Sequence, residues 1–504
     1  MENATTINVE NIVLKKKLEE KDQQIEQKNQ RIQLLEEMIK TLRHKQFGAS
    51  SEKITAAQIN LFNEAEAEPD EKPEADSEAI TVPAHIRKKQ KRVSIPANIP
   101  REEIVYDLPE NEKFCPHDGT ALKYIGEESS EQLDLIPAKI MALRHLRKKY
   151  ACPCCEQYLV TAAKPAQPIE KSIAAPGLLA HVAVSKYCDG LPLYRQISMF
   201  KRIGVELDRG TLANWMIKLG TLVQPLINRL HEVACEQSII HMDETPLQVL
   251  NEPGKTAQSK SYMWVTAATQ ASTNIILYHY SASRSGETPQ YLLADFNGAL
   301  MVDGYEGYSA VCNGNQLTRL GCWAHARRKF VEAQRQQPKG KTGKADQALA
   351  FIQKLYRYEQ LAKDKTADER YAIRQAQSKP EIDKLKKWLA KALLNTPPKT
   401  SLGKAINYLN NQWDRLAAYT ENGAWPIDNN RAENSIRPFV IGRKNWLFAN
   451  SQAGAHASAN LYSLIETAKA NELEPYEYLK QVFTLLPQAK NIDDIDALLP
   501  GMGE

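Results

Sequence analysis

Three acidic residues in this chain stand where an acid is conspicuous. Asp243 interrupts the apolar run Ser238-Ile-Ile-His-Met-Asp-Glu-Thr-Pro-Leu-Gln-Val-Leu250. Asp303 ends Gly298-Ala-Leu-Met-Val and precedes Gly304, and Glu433 follows Asp428-Asn-Asn-Arg-Ala. A carboxylate inside a buried strand is costly unless it is paired or holds a cation. Two of them on adjacent strands, joined by a third from a helix, make a set of hard oxygen ligands for divalent ions. Magnesium completes such a set with water and phosphate oxygens, so the chemistry indicated is phosphoryl transfer. Asp428 rivals Glu433 as the third acid and is read as the helix N-cap, which leaves Glu433 in the first turns with Arg437 one turn beyond.

Positions 243 and 303 are 60 residues apart, and 303 and 433 are 130 apart, so a fold must gather them. Ser238 to Leu250, Tyr262 to Ala268, Asn274 to Tyr280, Gly298 to Tyr305 and Gln316 to Cys322 read as strands, the second and third rich in aromatic and β-branched residues. A helix over Ala324 to Gln334 follows. Three strands close in sequence and then strands alternating with helices predict a multidomain α/β protein whose mixed sheet carries helices on its faces. Asp303 sits at a strand's carboxyl end, where open sheets place ligands. The sheet domain is assigned to residues 236-450, with a helix-rich insertion over 344-420, and 451-504 forms a C-terminal helical region.

Upstream, residues 171-233 read as a helix-turn-helix region. Leu193 to Ile203 is amphipathic, with Ile197, Phe200 and Ile203 on one face. Gly204 permits the turn, and Asp208 caps a second helix through Thr211, Leu212, Trp215 and Leu219. That second helix would offer Arg209, Thr211 and Asn214 to a major groove; a purely structural helical hairpin has the same pattern. Over residues 101-165, Cys115-Pro-His117-Asp118 and Cys152-Pro-Cys154-Cys155 resemble two zinc knuckles. The ligand set Cys115, His117, Cys152 and Cys155 would bind a structural Zn²⁺, with Asp118 or Cys154 as substitutes. The other reading is a degenerate knuckle that has lost its metal. Ile140 to Leu146 and Lys149 to Ala151 are expected to form a β-ribbon, crowded by Arg144, Arg147, Lys148 and Lys149.

Leu14, Leu18, Ile25, Ile32, Leu35, Ile39 and Leu42 occupy heptad a and d positions, interrupted by Lys21 and Lys28. Residues 1-47 are therefore expected to form a coiled coil and a homodimer or higher oligomer. Eight acids between Glu64 and Glu78, then the basic run Arg87-Lys88-Lys89-Gln90-Lys91-Arg92, mark 63-100 as a disordered linker. Its basic arm is suited to phosphate contacts as well as to plain solvation.

Composition narrows the classes further. The 504 residues include 65 Lys plus Arg and 61 Asp plus Glu, a net charge of +4. That is too small to name a partner, so any nucleic-acid reading rests on local clustering. With 42% hydrophobic and 25% charged residues the chain reads as globular. No apolar run of membrane-spanning length and no secretory leader is apparent, so a cytoplasmic location and no membrane partner are expected. Gly340-Lys341-Thr342 resembles the end of a phosphate loop, but position 335 is Arg and no strand precedes it, which argues against an ATPase.

Taken together, His-Met-Asp243-Glu-Thr, Val-Asp303-Gly-Tyr and Asp428-Asn-Asn-Arg-Ala-Glu433-Asn-Ser-Ile-Arg-Pro resemble the catalytic segments of bacterial insertion-sequence transposases. The likeness is to the large transposase of the insertion-sequence-66 family, and it runs nearly end to end. It includes Phe47-Gly48-Ala-Ser-Ser-Glu52-Lys53, Ser130-Glu131-Gln132-Leu133-Asp134 between the knuckles, and Trp446-Leu-Phe-Ala-Asn-Ser-Gln-Ala-Gly454-Ala. The resemblance implies a ribonuclease-H-like core with Asp243, Asp303 and Glu433 as its catalytic, metal-binding triad, served by two Mg²⁺ or Mn²⁺ ions. It implies cleavage at an element's ends and joining of 3′-hydroxyls to target DNA, in a bacterial, nucleoid-associated protein. Terminal inverted repeats, target DNA and accessory proteins encoded by the same element are the implied partners. Cys322-Trp-Ala-His325 resembles a signature that follows the second aspartate in several transposase groups. His325, Arg327, Arg328 and Arg437 are then expected near DNA, the other reading of His325 being local packing or hydrogen bonding. The alternatives are a catalytically inactive DNA-binding regulator and a structure-selective nuclease of the same fold. Asp118, where a second knuckle cysteine would stand, is the departure from the pattern.

Overall fold

A computed structural model describes residues 140–151, 159–270, 273–336 and 343–501, with a few isolated positions before them. The heptad segment, apart from helical Lys21 and Lys28, lies outside the described residues. So do the linker, the basic arm and the zinc-ligand candidates Cys115, His117, Asp118, Cys152, Cys154 and Cys155. The chain divides into two units, and residues 50–146 make up the smaller. Within it, Ile140 to Leu146 is not the expected strand. It has no regular structure, and Ile140, Met141, Leu143 and Leu146 are exposed, with no strand pairing to it among the described residues.

The larger unit contains a short antiparallel ribbon, β1 (Lys149–Ala151) and β2 (Leu159–Thr161). Its edge is tied by Arg147 Nε donating to the Ala162 carbonyl at 2.7 Å. Four helices follow: α1 (Pro176–Tyr187), α2 (Leu193–Arg202), α3 (Arg209–Leu222) and α4 (Gln224–Cys235). Gly204, with φ of +84°, makes the turn between α2 and α3 in a region that suits glycine. Asp208 caps α3 as expected, accepting from the Thr211 amide at 3.0 Å. Phe200 is buried on α2, but Ile203 lies past its end and is 54% exposed. Buried Gln196 occupies that face instead, donating to the carbonyls of Val182 and Leu191.

The sheet is built from β3 (Ile239–Asn251), β4 (Lys260–Gln270) and β5 (Thr273–Ser281), then β6 (Ala299–Val302) after α5 (Glu287–Leu292). After α6 (Ser309–Gly314) comes β7 (Thr318–Gly321). Its order is β5-β4-β3-β6-β7, with β3, β4 and β5 antiparallel and β3, β6 and β7 parallel. All four residues of β6 are buried, as the middle of a parallel stretch demands. This is the mixed α/β sheet expected from the sequence.

Helix α7 (Trp323–Gln334) leaves β7. The insertion follows: α8 (Lys344–Leu361), α9 (Ala367–Ile373), α10 (Lys379–Leu394), α11 (Ser401–Asn411) and α12 (Trp413–Ala417). It closes its own core around Ile352, Leu355, Leu385 and Leu409 against Trp323 and Phe330 of α7. The chain then returns through α13 (Asn430–Trp446), β8 (Ala449–Ser451), α14 (Gln452–Ala470), α15 (Pro475–Leu485) and α16 (Ile492–Asp496).

Residues of α1 to α4, the sheet, and α13 to α15 share one hydrophobic core. Helix α14 covers the outer strand β5 in an unusual way. Ser463 and Thr467 accept from the amides of Tyr278 and Ile276 at 2.7 and 3.0 Å, and Asn471 accepts from Asn274 at 2.8 Å. Four helical residues advance about 6 Å and two strand residues about 6.8 Å, so side chains every fourth residue keep step with alternate amides. A polar helix face thereby satisfies an edge that would otherwise recruit another strand. On its other side α14 meets α3 closely: a Cβ at Gly220 would lie 2.5 Å from Ala457 Cα. Among the described residues no helix is long and apolar enough to cross a membrane.

Candidate active site

Strand register brings the two aspartates together. Ile239, Ile240 and His241 of β3 pair with Ala299, Leu300 and Met301 of β6, so continuing the ladder by two residues sets Asp243 beside Asp303. Adjacent strands lie about 4.8 Å apart and equivalent residues point to the same face; β6 itself ends at Val302, and Asp303 just beyond it is near enough for its charge to raise the Asp243 carboxyl. Beyond β6 the chain is pinned by buried Arg319, which donates to the carbonyls of Asp303 and Tyr305 at 3.1 and 2.7 Å. Asp303 Oδ1 accepts from the Tyr305 amide at 2.8 Å. The insertion approaches closely here, since a Cβ at Gly304 would come within 2.7 Å of the Tyr408 ring.

The third acid arrives on α13. That helix starts at Asn430, so the cap position belongs to Asn429 rather than to the expected Asp428. The reason is that Asp428 is drawn elsewhere. Its Oδ2 accepts from the Tyr356 hydroxyl of α8 at 2.8 Å, and its Oδ1 accepts from the Asn430 amide at 3.1 Å. Burial raises the Asp428 carboxyl above its ordinary range. Asn429 turns its side chain to β3, donating to the Met242 carbonyl at 2.7 Å, with Oδ1 3.0 Å from His241 Nδ1. Glu433 therefore projects from the first turn of a helix fastened to the strand that carries Asp243.

The electrostatics are those of an acidic cluster short of positive charge. Asp243 is pushed up to about 8, first by burial and then by Glu244, Glu433 and Asp303. Asp243 Oδ1 accepts from the Glu244 amide at 2.9 Å. Glu433 is met by Arg328 at 3.0 Å through Oε2, while its Oε1 is buried without a hydrogen-bond partner among the described residues. His325 Nδ1 stands 3.4 Å from that Oε1, likewise unpartnered. The three carboxyls are hard oxygen donors that feel one another's charge, and a divalent cation among them would take the place of the proton that Asp243 holds to about 8.

Sequence reasoning missed the groups that hold this cluster. Glu244, adjacent to Asp243, is nearly inaccessible and is neutralised by Arg284, whose Nε donates at 2.7 Å, and by the Tyr308 hydroxyl at 2.6 Å. Arg284 also stacks on Tyr305 at 4.0 Å. His241 is buried and its imidazole is lowered to about 4, mainly by loss of solvation. Cys322 is buried at the start of α7, where its sulfur accepts from the Asn429 amide at 3.2 Å. The apolar residues around His241 and the asparagine pair before the glutamate were visible, but no local pattern says that they meet.

The remaining expected residues fall into two places. His325 and Arg328 border Glu433 from α7, with Arg327 half-buried beside them and Arg437 one turn after Glu433 on α13. Arg209 and Asn214 are exposed on α3, away from these acids in the chain's order. Thr211 is committed locally, its hydroxyl donating to Asp208 Oδ2 at 2.5 Å.

Comparison with known proteins gives four family matches. Residues 171–457 match the Transposase IS66 family, and 112–156 match the zinc-finger binding domain of transposase IS66. Residues 463–500 match the IS66 C-terminal element, and 34–104 match the Transposase C of IS166 homeodomain. The chain is also 33% identical over 490 residues to the uncharacterized protein y4qI of Sinorhizobium fredii (strain NBRC 101917 / NGR234), covering 94% of this chain and 89% of that one. The uncharacterized protein y4jD of the same organism is 33% identical over 420 residues, 81% of each chain.

Proposed function

This chain belongs to the IS66 transposase family, and from that premise we propose that it cleaves the ends of an insertion sequence and joins the freed 3′-hydroxyls to target DNA. Asp243, Asp303 and Glu433 are the proposed triad, in a core of ribonuclease-H-like type. Support for the fold is the strand order β5-β4-β3-β6-β7, with three antiparallel strands first and two parallel ones after. The observation that supports the reading is the β3–β6 register, which carried on by two residues would align Asp243 with Asp303, together with the charge of Asp303 and Glu433 felt at Asp243.

In the first step, water attacks a phosphodiester at the element's end; a new P–O bond forms, the bond to the 3′ oxygen breaks, and a 3′-hydroxyl is released. In the second, that hydroxyl attacks a target phosphodiester and a target 3′-hydroxyl leaves. The triad would hold two Mg²⁺ or Mn²⁺ ions, which when bound stabilise charge on attacking and leaving oxygens. Arg328 holds Glu433 in place through Oε2, and Asn429 fixes its helix to β3. Arg284 and Tyr308 keep Glu244 occupied, so the acid beside Asp243 does not compete for the cation. The helices α2 and α3 are proposed to bind the terminal repeats, the module around residues 112–156 to hold a structural Zn²⁺, and the N-terminal heptads to pair copies of the chain.

The test uses full-length protein, a duplex ending in the element's inverted repeats, and Mg²⁺. The expected result is 3′-hydroxyl ends and their joining to a second duplex, with both lost in Asp243→Asn while repeat binding persists. Cleavage without joining would turn the reading to a nuclease, and binding without cleavage to a regulator. Normal cleavage by Asp243→Asn would refute the triad.

A further inference from the structure

We infer that Cys322, His325 and Glu433 form a second metal site, a thiolate–imidazole–carboxylate set that takes a borderline transition cation such as Zn²⁺ and competes for Glu433 with the acidic triad. One ligand atom from each residue lies within 4.8 Å of the other two. Cys322 stands at the N-cap position of α7 and His325 one turn on, so both face the same side, and Glu433 meets them from α13. Zinc bonds of about 2.0 to 2.3 Å place tetrahedral ligands roughly 3.5 Å apart, which small side-chain rotations reach.

Two details indicate that the space suits a cation. His325 Nδ1 and Glu433 Oε1 are both buried, 3.4 Å apart, and neither has a hydrogen-bond partner among the described residues. Arg328 occupies only Oε2, leaving Oε1 turned toward the imidazole. The Asn429 amide already points at the Cys322 sulfur, an outer contact that supports a thiolate ligand. Sulfur and imidazole select zinc or cobalt(II) over magnesium, which prefers oxygen alone. Binding releases the thiol proton to solvent.

The competition clause rests on Glu433 belonging to the triad, so two measurements separate the claims. In the first, Co²⁺ is titrated into full-length protein, Cys322→Ser and His325→Gln. Wild type is expected to show a thiolate-to-cobalt absorption beyond that of the upstream module, lost in Cys322→Ser and shifted or lost in His325→Gln. Cobalt in the upstream zinc module is common to all and cancels in the difference. Superimposable spectra for wild type and His325→Gln would overturn the site, whatever the folding of the cysteine variant. In the second, Mn²⁺ binding is followed by its electron-spin signal. Zinc is expected to weaken it in wild type and not in His325→Gln; equal Mn²⁺ binding with and without zinc in wild type would overturn the competition. Mn²⁺ binding by zinc-free protein, lost in Asp243→Asn, checks the triad by itself.

Discussion

His241 Nδ1 lies 3.0 Å from Asn429 Oδ1, while the same amide's Nδ2 donates to the carbonyl of Met242, the residue before Asp243. Because the nitrogen is committed to that carbonyl, the oxygen must accept from His241, which puts a proton on Nδ1; burial, which lowers the imidazole to about 4, keeps the ring neutral. Asn429 is completely buried and immediately precedes the helix carrying Glu433. One side chain thus joins the strand of one acid to the helix of another. Asn429→Ala removes both bonds and leaves a buried carbonyl unpaired. It is expected to cost about 1–3 kcal/mol in urea unfolding. Cleavage, measured where the variant is folded, should fall further than that loss explains; cleavage equal to wild type would show that the bridge serves stability alone.

The acidic cluster makes metal stabilisation depend on pH. An ordinary aspartate ionises near 3.9 in the unfolded chain, whereas Asp243 in the folded protein holds its proton to about 8. A raised folded value means that this group's stabilisation is complete below about 4 and is lost as pH climbs through about 8. A divalent cation replaces the proton and removes that loss. The rise in melting temperature on adding Mg²⁺ should therefore be larger at pH 8.5 than at pH 5.5, and Asp243→Asn should flatten the difference. A Mg²⁺ effect independent of pH, or unchanged in the variant, would count against the cluster as its site.

Glu244 is next to Asp243 in sequence yet differs from it in kind. Its carboxylate is nearly inaccessible and is matched by Arg284 and Tyr308. Arg284→Ala leaves the buried carboxyl with Tyr308 alone and should destabilise the protein by about 1–3 kcal/mol, the outer end of Arg284 being in solvent, whereas Glu244→Gln, which keeps the shape, should cost less. The Mg²⁺ concentration for half-maximal cleavage should stay at the wild-type value in Glu244→Gln. A severalfold rise would make Glu244 a ligand.

How far these arrangements were legible from sequence follows the range of the interactions. The strands of the sheet, the Gly204 turn and the Asp208 cap depend on neighbours a few residues away, and they stand where periodicity and turn chemistry put them. Asp428 was misread as the cap because its partner Tyr356 is 72 positions earlier, on an inserted helix. Ile203 was misassigned because the α2 helix ends one residue sooner and Gln196 finds two carbonyls to bond. The Ser463–Thr467–Asn471 stripe that clothes β5 reads as an undistinguished polar face until strand and helix are adjacent. The acids themselves were visible because an aspartate in an apolar run is costly wherever its partners lie.

On α3, three residues expected to read DNA have different local commitments, so their variants should separate. Arg209 and Asn214 are exposed. Arg209 at the helix start, where backbone amides also favour anions, is suited to a phosphate. Arg209→Ala should weaken binding on specific and unrelated duplexes alike and reduce the steepness of log affinity against log salt by about one. Asn214, a turn inside the helix, is placed for a base edge, and Asn214→Ala should cost about 1–3 kcal/mol on the terminal repeat with little change on unrelated DNA. Thr211 spends its hydroxyl and amide on Asp208, so Thr211→Ala should lower thermal stability by loosening the cap and leave the ratio of specific to unrelated affinity near wild type. Fluorescence anisotropy across a salt series measures all three. If Arg209→Ala and Asn214→Ala bind the repeat with wild-type affinity and slope, the exposed face of α3 is packing surface and DNA recognition lies elsewhere in the chain.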